Sequence, residues 1–334
     1  MLDTIHIAHS RIHTYLPETP FEHRPQLSKT YNISHDVFLK REDMQPVRSY
    51  KVRGALNSML RAINQKNRRE FVCASAGNHA QGVAYAARLT QSHAKIIMPT
   101  TTPAQKIDAV RRHGAENAQV VLHGTTYDEA YAHARSLQNG HYFIHAFDDD
   151  HVIAGQGTIA LSLMDKSLDA ILVPIGGGGL CAGLASAFEG TPTRVIGVQV
   201  QGATSMYDSL QAGYRTSIKQ NTFVDGVGVS TPGEKNFSII KRLGVPVVVV
   251  SEAQVCDALL SLYNTEGIVC ELAGALSIAG LHALSYAGAS LGISKGSRIC
   301  CVVSGGNNDV RRLPAIIEKS SWNLEGATHK IYKR

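Results

Sequence analysis

Charge is scarce in this chain. Of its 334 residues only 18% are charged, against roughly 25% in an average soluble domain, and no run of like charge is long enough for a nucleic-acid arm. The balance of 33 basic against 27 acidic residues leaves +6, a mild bias that suits small anions such as phosphates and carboxylates. Paired cysteines are missing as well: Cys73, Cys181, Cys256, Cys270, Cys300 and Cys301 contain no Cys-x-x-Cys, so neither a zinc site nor a disulfide framework is expected. No apolar run is fit to cross a membrane, since the uncharged stretch 170–188 carries Pro174 and four consecutive glycines. The N-terminus, with Asp3, His6, His9 and His13, lacks the apolar core of a signal peptide. These absences predict a reduced, cytoplasmic protein with no bound metal and neither nucleic acid nor membrane as partner.

What is present is alternation. Short β-rich runs at residues 37–39, 71–73, 96–98, 120–122, 171–173, 195–198, 247–250 and 299–303 are separated by stretches of helical spacing, such as 80–89, 103–113 and 180–188. That order predicts an α/β fold of two α/β domains with mostly parallel sheets covered on both faces. Eight strands exceed one comfortable sheet, so a small unit is placed at residues 70–147 and a large one at 1–69 and 148–334. Ligands are then expected in the cleft between them.

Three loops at strand ends carry candidate chemistry. Gly176, Gly177, Gly178 and Gly179 follow a strand and open the helix that begins with Leu180. Four residues without Cβ let main-chain N–H groups converge at a helix N-terminus, a place for a phosphate. The same run also contains a Gly-x-Gly pattern of the dinucleotide kind. A nicotinamide-dependent oxidoreductase would need an acid at the end of the next strand, where Gln199 and Gln201 stand instead. Ser75, Ala76, Gly77, Asn78 and His79 form a second strand-to-helix loop, suited to a carboxylate. Ser304, Gly305, Gly306, Asn307 and Asn308 form a third. Taken singly, each could be an ordinary turn or cap, but three of one kind at strand ends are less easily accidental. Lys51, behind Tyr50 in Ser49-Tyr50-Lys51-Val52-Arg53-Gly54, supplies an amine. Amine, phosphate nest and carboxylate nest together fit pyridoxal 5'-phosphate acting on an amino acid.

At this level of detail the segments 40–54, 75–82, 176–179 and 304–308 resemble, in chain order, those of the fold type II pyridoxal-phosphate enzymes, the tryptophan synthase β-like group. Residues 45–55, Phe223-Val224-Asp225-Gly226 and Glu271-Leu272-Ala273-Gly274-Ala275 are most similar to biosynthetic threonine dehydratases. The resemblance implies that Lys51 forms the Schiff base with the cofactor, Tyr50 lies beside its ring and Asn78 bonds its 3'-oxygen. It implies further that residues 176–179 with Leu180 hold the phosphate, that Ser304 faces the pyridine nitrogen, and that Ser75, Ala76, Gly77, Asn78 and His79 receive the substrate carboxylate. Glu271 is a cofactor-proximal candidate. Departures occur at Leu272-Ala273, at Gln199, where relatives with a divalent-cation site carry glutamate, and at Ser230-Thr231.

The implied activity is conversion of L-threonine to 2-oxobutanoate and ammonia, a lyase step of isoleucine biosynthesis, in a homo-oligomer expected to be a dimer. Dehydration of L-serine or serine racemisation on the same fold is the alternative, and an amino-acid sensor is a third reading. A neutral Ser304, unlike a carboxylate, would leave the ring nitrogen unprotonated and favour β-elimination over transamination. Residues 320–334 resemble a junction to a regulatory domain, and with no such domain following, hyperbolic threonine kinetics insensitive to isoleucine are expected.

Overall fold

The computed structural model describes residues 1–321, the Tyr286 side chain excepted. Trp322 and the rest of the junction-like segment lie outside the described residues. Among the described residues, ten strands form two sheets. The larger has the order β1-β2-β10-β7-β8-β9, built from β1 (Phe21–His23), β2 (Asp36–Arg41), β7 (Ala170–Pro174), β8 (Arg194–Val200), β9 (Val247–Val250) and β10 (Arg298–Val303). The smaller has the order β5-β4-β3-β6, from β3 (Glu70–Ala74), β4 (His93–Met98), β5 (Ala118–Leu122) and β6 (Tyr142–Phe143). All pairings are parallel except β1 against β2. The eight expected strands are present. The sequence pattern does not announce β1 and β6, because three and two residues are too short to show a period of two.

Both sheets are covered on both faces, as near-continuous apolar strands require. In β10, Cys301 and Val303 belong to the core under the helices Glu252–Glu266 and Leu272–Ala279, while Cys300 and Val302 belong to the core under Gly179–Ala187. In β3, Phe71 and Cys73 face one core, Val72 and Ala74 the other. The first of these also takes in Val52, Leu56 and Met59 from the helix Lys51–Lys66. All six cysteines are free and buried. Among the described residues no helix is long and apolar enough to cross a membrane.

The start of the Lys51–Lys66 helix is fixed from two sides. Arg53 grips the carboxylate of Glu42 with two bonds, Nε to Oε2 at 2.8 Å and Nη2 to Oε1 at 2.9 Å, and both residues are buried. Thr19 adds a hydroxyl donor to Glu42 at 2.6 Å, and Lys40, fully buried, donates to the Thr19 carbonyl at 2.7 Å. On the other side, a Cβ at Gly54 would stand 2.4 Å from Gln156 Nε2 and 2.8 Å from the Val152 carbonyl. Only glycine allows this helix to lie so close to Asp150–Gly157. The Lys-x-Arg-Gly sequence therefore combines an amine, the anchor of its helix and a close approach.

Candidate active site

The loops after β3, β6, β7 and β10 all leave the C-terminal ends of parallel strands, where an open α/β sheet places its ligand site. Lys51 sits among them. Its Nζ donates to the Ala146 carbonyl at 3.0 Å and lies 5.3 Å from the centre of the Tyr50 ring. Burial lowers the amine to about 8, with Glu271 pulling the other way. Burial, aided by Glu271, raises the Tyr50 hydroxyl and keeps it neutral. The residues before Lys51 are laid along the loop after β10: Tyr50 N donates to the Ser304 carbonyl at 3.2 Å, and Ser49 forms a bridge with Gly305. Arg48, with φ of 55°, donates to the carbonyls of Gly306 at 3.0 Å and Val269 at 2.8 Å.

Asn78 opens the helix Asn78–Leu89 and is held by two partners. Its Oδ1 accepts from Asn307 Nδ2 at 2.7 Å, and its Nδ2 donates to Glu271 Oε1 at 2.6 Å. Those bonds settle the amide orientation and leave one Nδ2–H for a ligand oxygen. Glu271 is raised to about 7 by burial, a shift that the Asn78 hydrogen bond moderates. The group therefore titrates near neutrality, and it touches the Gly305 main chain through its own N–H, donated to the Gly305 carbonyl at 3.1 Å. Ser304 is buried, and its hydroxyl is 3.2 Å from the Ala273 carbonyl, to which it donates.

Two helix N-termini face this cluster without side-chain caps. At one, Gly178 adopts φ of +99° as N-cap of Gly179–Ala187, a conformation open to glycine and strained for other residues. The Ala182 N–H returns to Gly178 O at 2.8 Å, leaving the N–H groups of Gly179, Leu180 and Cys181 at the positive end of the helix dipole. At the other, Gly77 is the N-cap, and Gln81 N returns to Gly77 O at 3.2 Å. The same reasoning leaves the N–H groups of Asn78, His79 and Ala80 for an anion. Ser75 Oγ accepts from Gly77 N at 3.2 Å and holds this turn. The His79 ring is buried and bonded to the Ile144 carbonyl at 3.0 Å; burial, with Lys51 nearby, drives it down to about 3. Its offering to a ligand is the main-chain N–H, not the imidazole.

Of the residues expected from sequence, Tyr50, Lys51, Asn78, Glu271 and Ser304 lie in one linked cluster, and three more join them. Ala146, Phe147 and Asn236 were not read as site residues. Asn236 Nδ2 bonds both the Phe147 carbonyl at 3.1 Å and the Gly177 carbonyl at 2.9 Å, and a Cβ on Gly177 would collide with the Phe147 ring. The signal that could have exposed residues 144–149 is their place after a fourth parallel strand, but β6 is only two residues long.

Comparison with known proteins agrees with this picture. The profile of the family described as pyridoxal-phosphate dependent enzyme matches residues 12–305. The chain is 39% identical to the biosynthetic L-threonine dehydratase of Halalkalibacterium halodurans, over 98% of this chain and 79% of that protein. It is 41% identical to the same enzyme of Corynebacterium glutamicum, over 95% and 73%. Among solved structures, processed threonine deaminase isoform 2 of Solanum lycopersicum superposes with a TM-score of 0.86 at 38% identity, covering 95% of this chain and 86% of that one. Maize serine racemase reaches 0.85 at 29% identity, covering 98% and 99%. Backbone shape therefore does not separate the two activities; sequence identity favours the first.

Proposed function

The chain belongs to the pyridoxal-phosphate-dependent enzymes, and from that premise we propose which of its residues perform the reaction. The activity is that of an ammonia-lyase: L-threonine is dehydrated and deaminated to 2-oxobutanoate and ammonia. When bound, pyridoxal 5'-phosphate supplies a carbonyl that condenses with amines and a ring that accepts the electrons of a broken Cα–H bond. The observation that carries the assignment is one buried amine, Lys51, between two uncapped helix N-termini.

Lys51 would hold the cofactor through its amine, and the same amine is placed to take the Cα proton of the substrate. An amine lowered to about 8 has an appreciable neutral fraction at physiological pH, which an exposed lysine lacks. The free N–H groups after Gly178 receive the phosphate, together with residues 176–177. Those after Gly77 receive the substrate carboxylate, and Asn78, its amide set by Asn307 and Glu271, donates to the 3'-oxygen. Tyr50 packs beside the ring. The product leaves as an enamine that water hydrolyses to the 2-oxo acid and ammonia.

Ser304 is assigned to the ring nitrogen. The Ser304 hydroxyl, which donates to Ala273 O, can rotate to donate to an unprotonated ring nitrogen instead, and it brings no charge to hold a proton there. Ser304→Asp introduces a carboxylate there, and dehydration slows by about tenfold or more, about 1.4 kcal/mol of barrier. Wild-type rates in that variant would remove Ser304 from the site.

The sheet memberships support residues 70–147 as a small domain and 1–69 with 148–321 as the large one, while the apolar side chains of the helix Lys51–Lys66 pack into the core of the smaller sheet. A homodimer in the cytoplasm completes the reading; the free thiols support a reducing compartment, and light scattering measures the mass. The substrate assignment is tested by incubating purified holoenzyme with L-threonine and L-serine in turn. A higher kcat/KM for L-threonine, with 2-oxobutanoate formed, is expected; preference for L-serine, or formation of D-serine, would give the alternative.

A further inference from the structure

The turn that receives the Lys51 amine is shaped by a histidine. His145 Nδ1 accepts two main-chain N–H bonds, from Phe147 at 3.2 Å and Asp148 at 2.9 Å. A ring nitrogen that accepts carries no proton, so His145 is neutral with its proton on Nε2. Folded over this acceptor, the chain presents successive carbonyls to the site. Ala146 O takes the bond from Lys51 Nζ at 3.0 Å, and Phe147 O takes one from Asn236, which also holds Gly177.

We propose that His145 is a positioning residue for Lys51: its Nδ1 gathers the N–H groups of Phe147 and Asp148 and so aims the Ala146 carbonyl at the lysine amine. The inference rests on the reading of Lys51 as the cofactor-bearing lysine. A second proton can enter only at Nδ1, where it evicts both N–H donors, so protonation undoes the turn. Facing the ring are Tyr131 and Phe143, edge-on, and Phe147 from its own loop. Burial lowers its affinity for a proton, Asp148 and Asp149 raise it, and Lys51 and Arg135 lower it; His79 is near enough for the two histidines to feel each other's charge. With the folded value below the usual 6.5, the turn is intact above that pH and is lost as pH falls through the folded value.

Asparagine separates the two functions of the ring. Its Oδ1 stands as many bonds from Cβ as Nδ1 does and accepts from residues two and three ahead in an Asx turn, yet it does not titrate. His145→Leu keeps bulk and loses the acceptor. In His145→Leu, kcat falls about tenfold or more, the scale of a misplaced reactive group, and the apoenzyme takes up pyridoxal phosphate more slowly, followed by visible absorbance. His145→Asn restores most of both, and the further loss of kcat that the wild type shows below about pH 6.5, beyond the Lys51 titration, is absent from it. Equal behaviour of the Asn and Leu variants, or the same further loss below about pH 6.5 in His145→Asn as in the wild type, overturns the proposal; the Asn profile decides even where the Leu variant does not fold. Borohydride reduction and peptide mapping of each protein keep the two readings apart. A pyridoxyl group on another lysine refutes the role of Lys51, whereas a group on Lys51 with indistinguishable Asn and Leu variants refutes that of His145 alone.

Discussion

Lys51→Ala abolishes 2-oxobutanoate formation, by roughly a thousandfold or more, the scale on which loss of a covalent reagent is felt. The fold gives two reasons for so large an effect. Lys51 has a second task, removal of the Cα proton, and among the described residues no other amine is placed for it. The chain does contain a competitor: Lys40 is fully buried, and burial lowers its amine too. Yet Lys40 donates to Thr19 O at 2.7 Å in the Glu42 and Arg53 network, away from the uncapped helix ends. Reduction of the holoenzyme with borohydride followed by mass mapping therefore places the pyridoxyl group on the peptide of Lys51. Its recovery on Lys40, or residual turnover of a few per cent in Lys51→Ala, would displace the assignment.

Arg53→Ala costs stability rather than chemistry, about 3–5 kcal/mol, the range for removing one partner of a buried ion pair. Burial alone would raise the Glu42 carboxyl; the Arg53 charge and hydrogen bonds, then the Thr19 bond and Lys40, outweigh it and hold the group below its ordinary value. Take Arg53 away and a carboxylate with no exposure is left to Thr19, Gln45 and Lys40. The sign with pH follows. A lowered folded value makes the pair stabilising above the unfolded carboxyl value, and this contribution disappears as pH falls through the folded value. In Arg53→Ala, Glu42 rises, so the deficit is large at neutral pH and narrows in acid. Urea denaturation at several pH values measures both; a loss below about 1 kcal/mol at neutral pH, the size of an exposed pair, would mean that water reaches Glu42. The double substitution Glu42→Met with Arg53→Leu recovers part of the loss, since no charge is then left unpaired.

Much of this was legible before the fold. Residues 171–173 and 299–303 are apolar on successive positions because both faces of their sheet are covered, and that pattern announces parallel strands without any tertiary information. Glycines at 176–179 announce a helix N-terminus left open, since no cap residue precedes Leu180. The strand β6 was not legible, because two residues carry no period, and with it went the loop that receives the lysine.

By itself, then, the sequence determined the alternation of strand and helix, the three strand-end loops and the amine among them, all properties carried by residues near one another in the chain. Tertiary structure alone decided which distant groups meet. Asn78 reaches Glu271 across 193 positions and Asn307 across 229, and Lys51 reaches Ala146 across 95. Local periodicity reports which face of an element is buried, not which element lies against it. The amide orientation of Asn78 and the lowered amine of Lys51 both depend on that second fact, because each is set by partners far away in the chain.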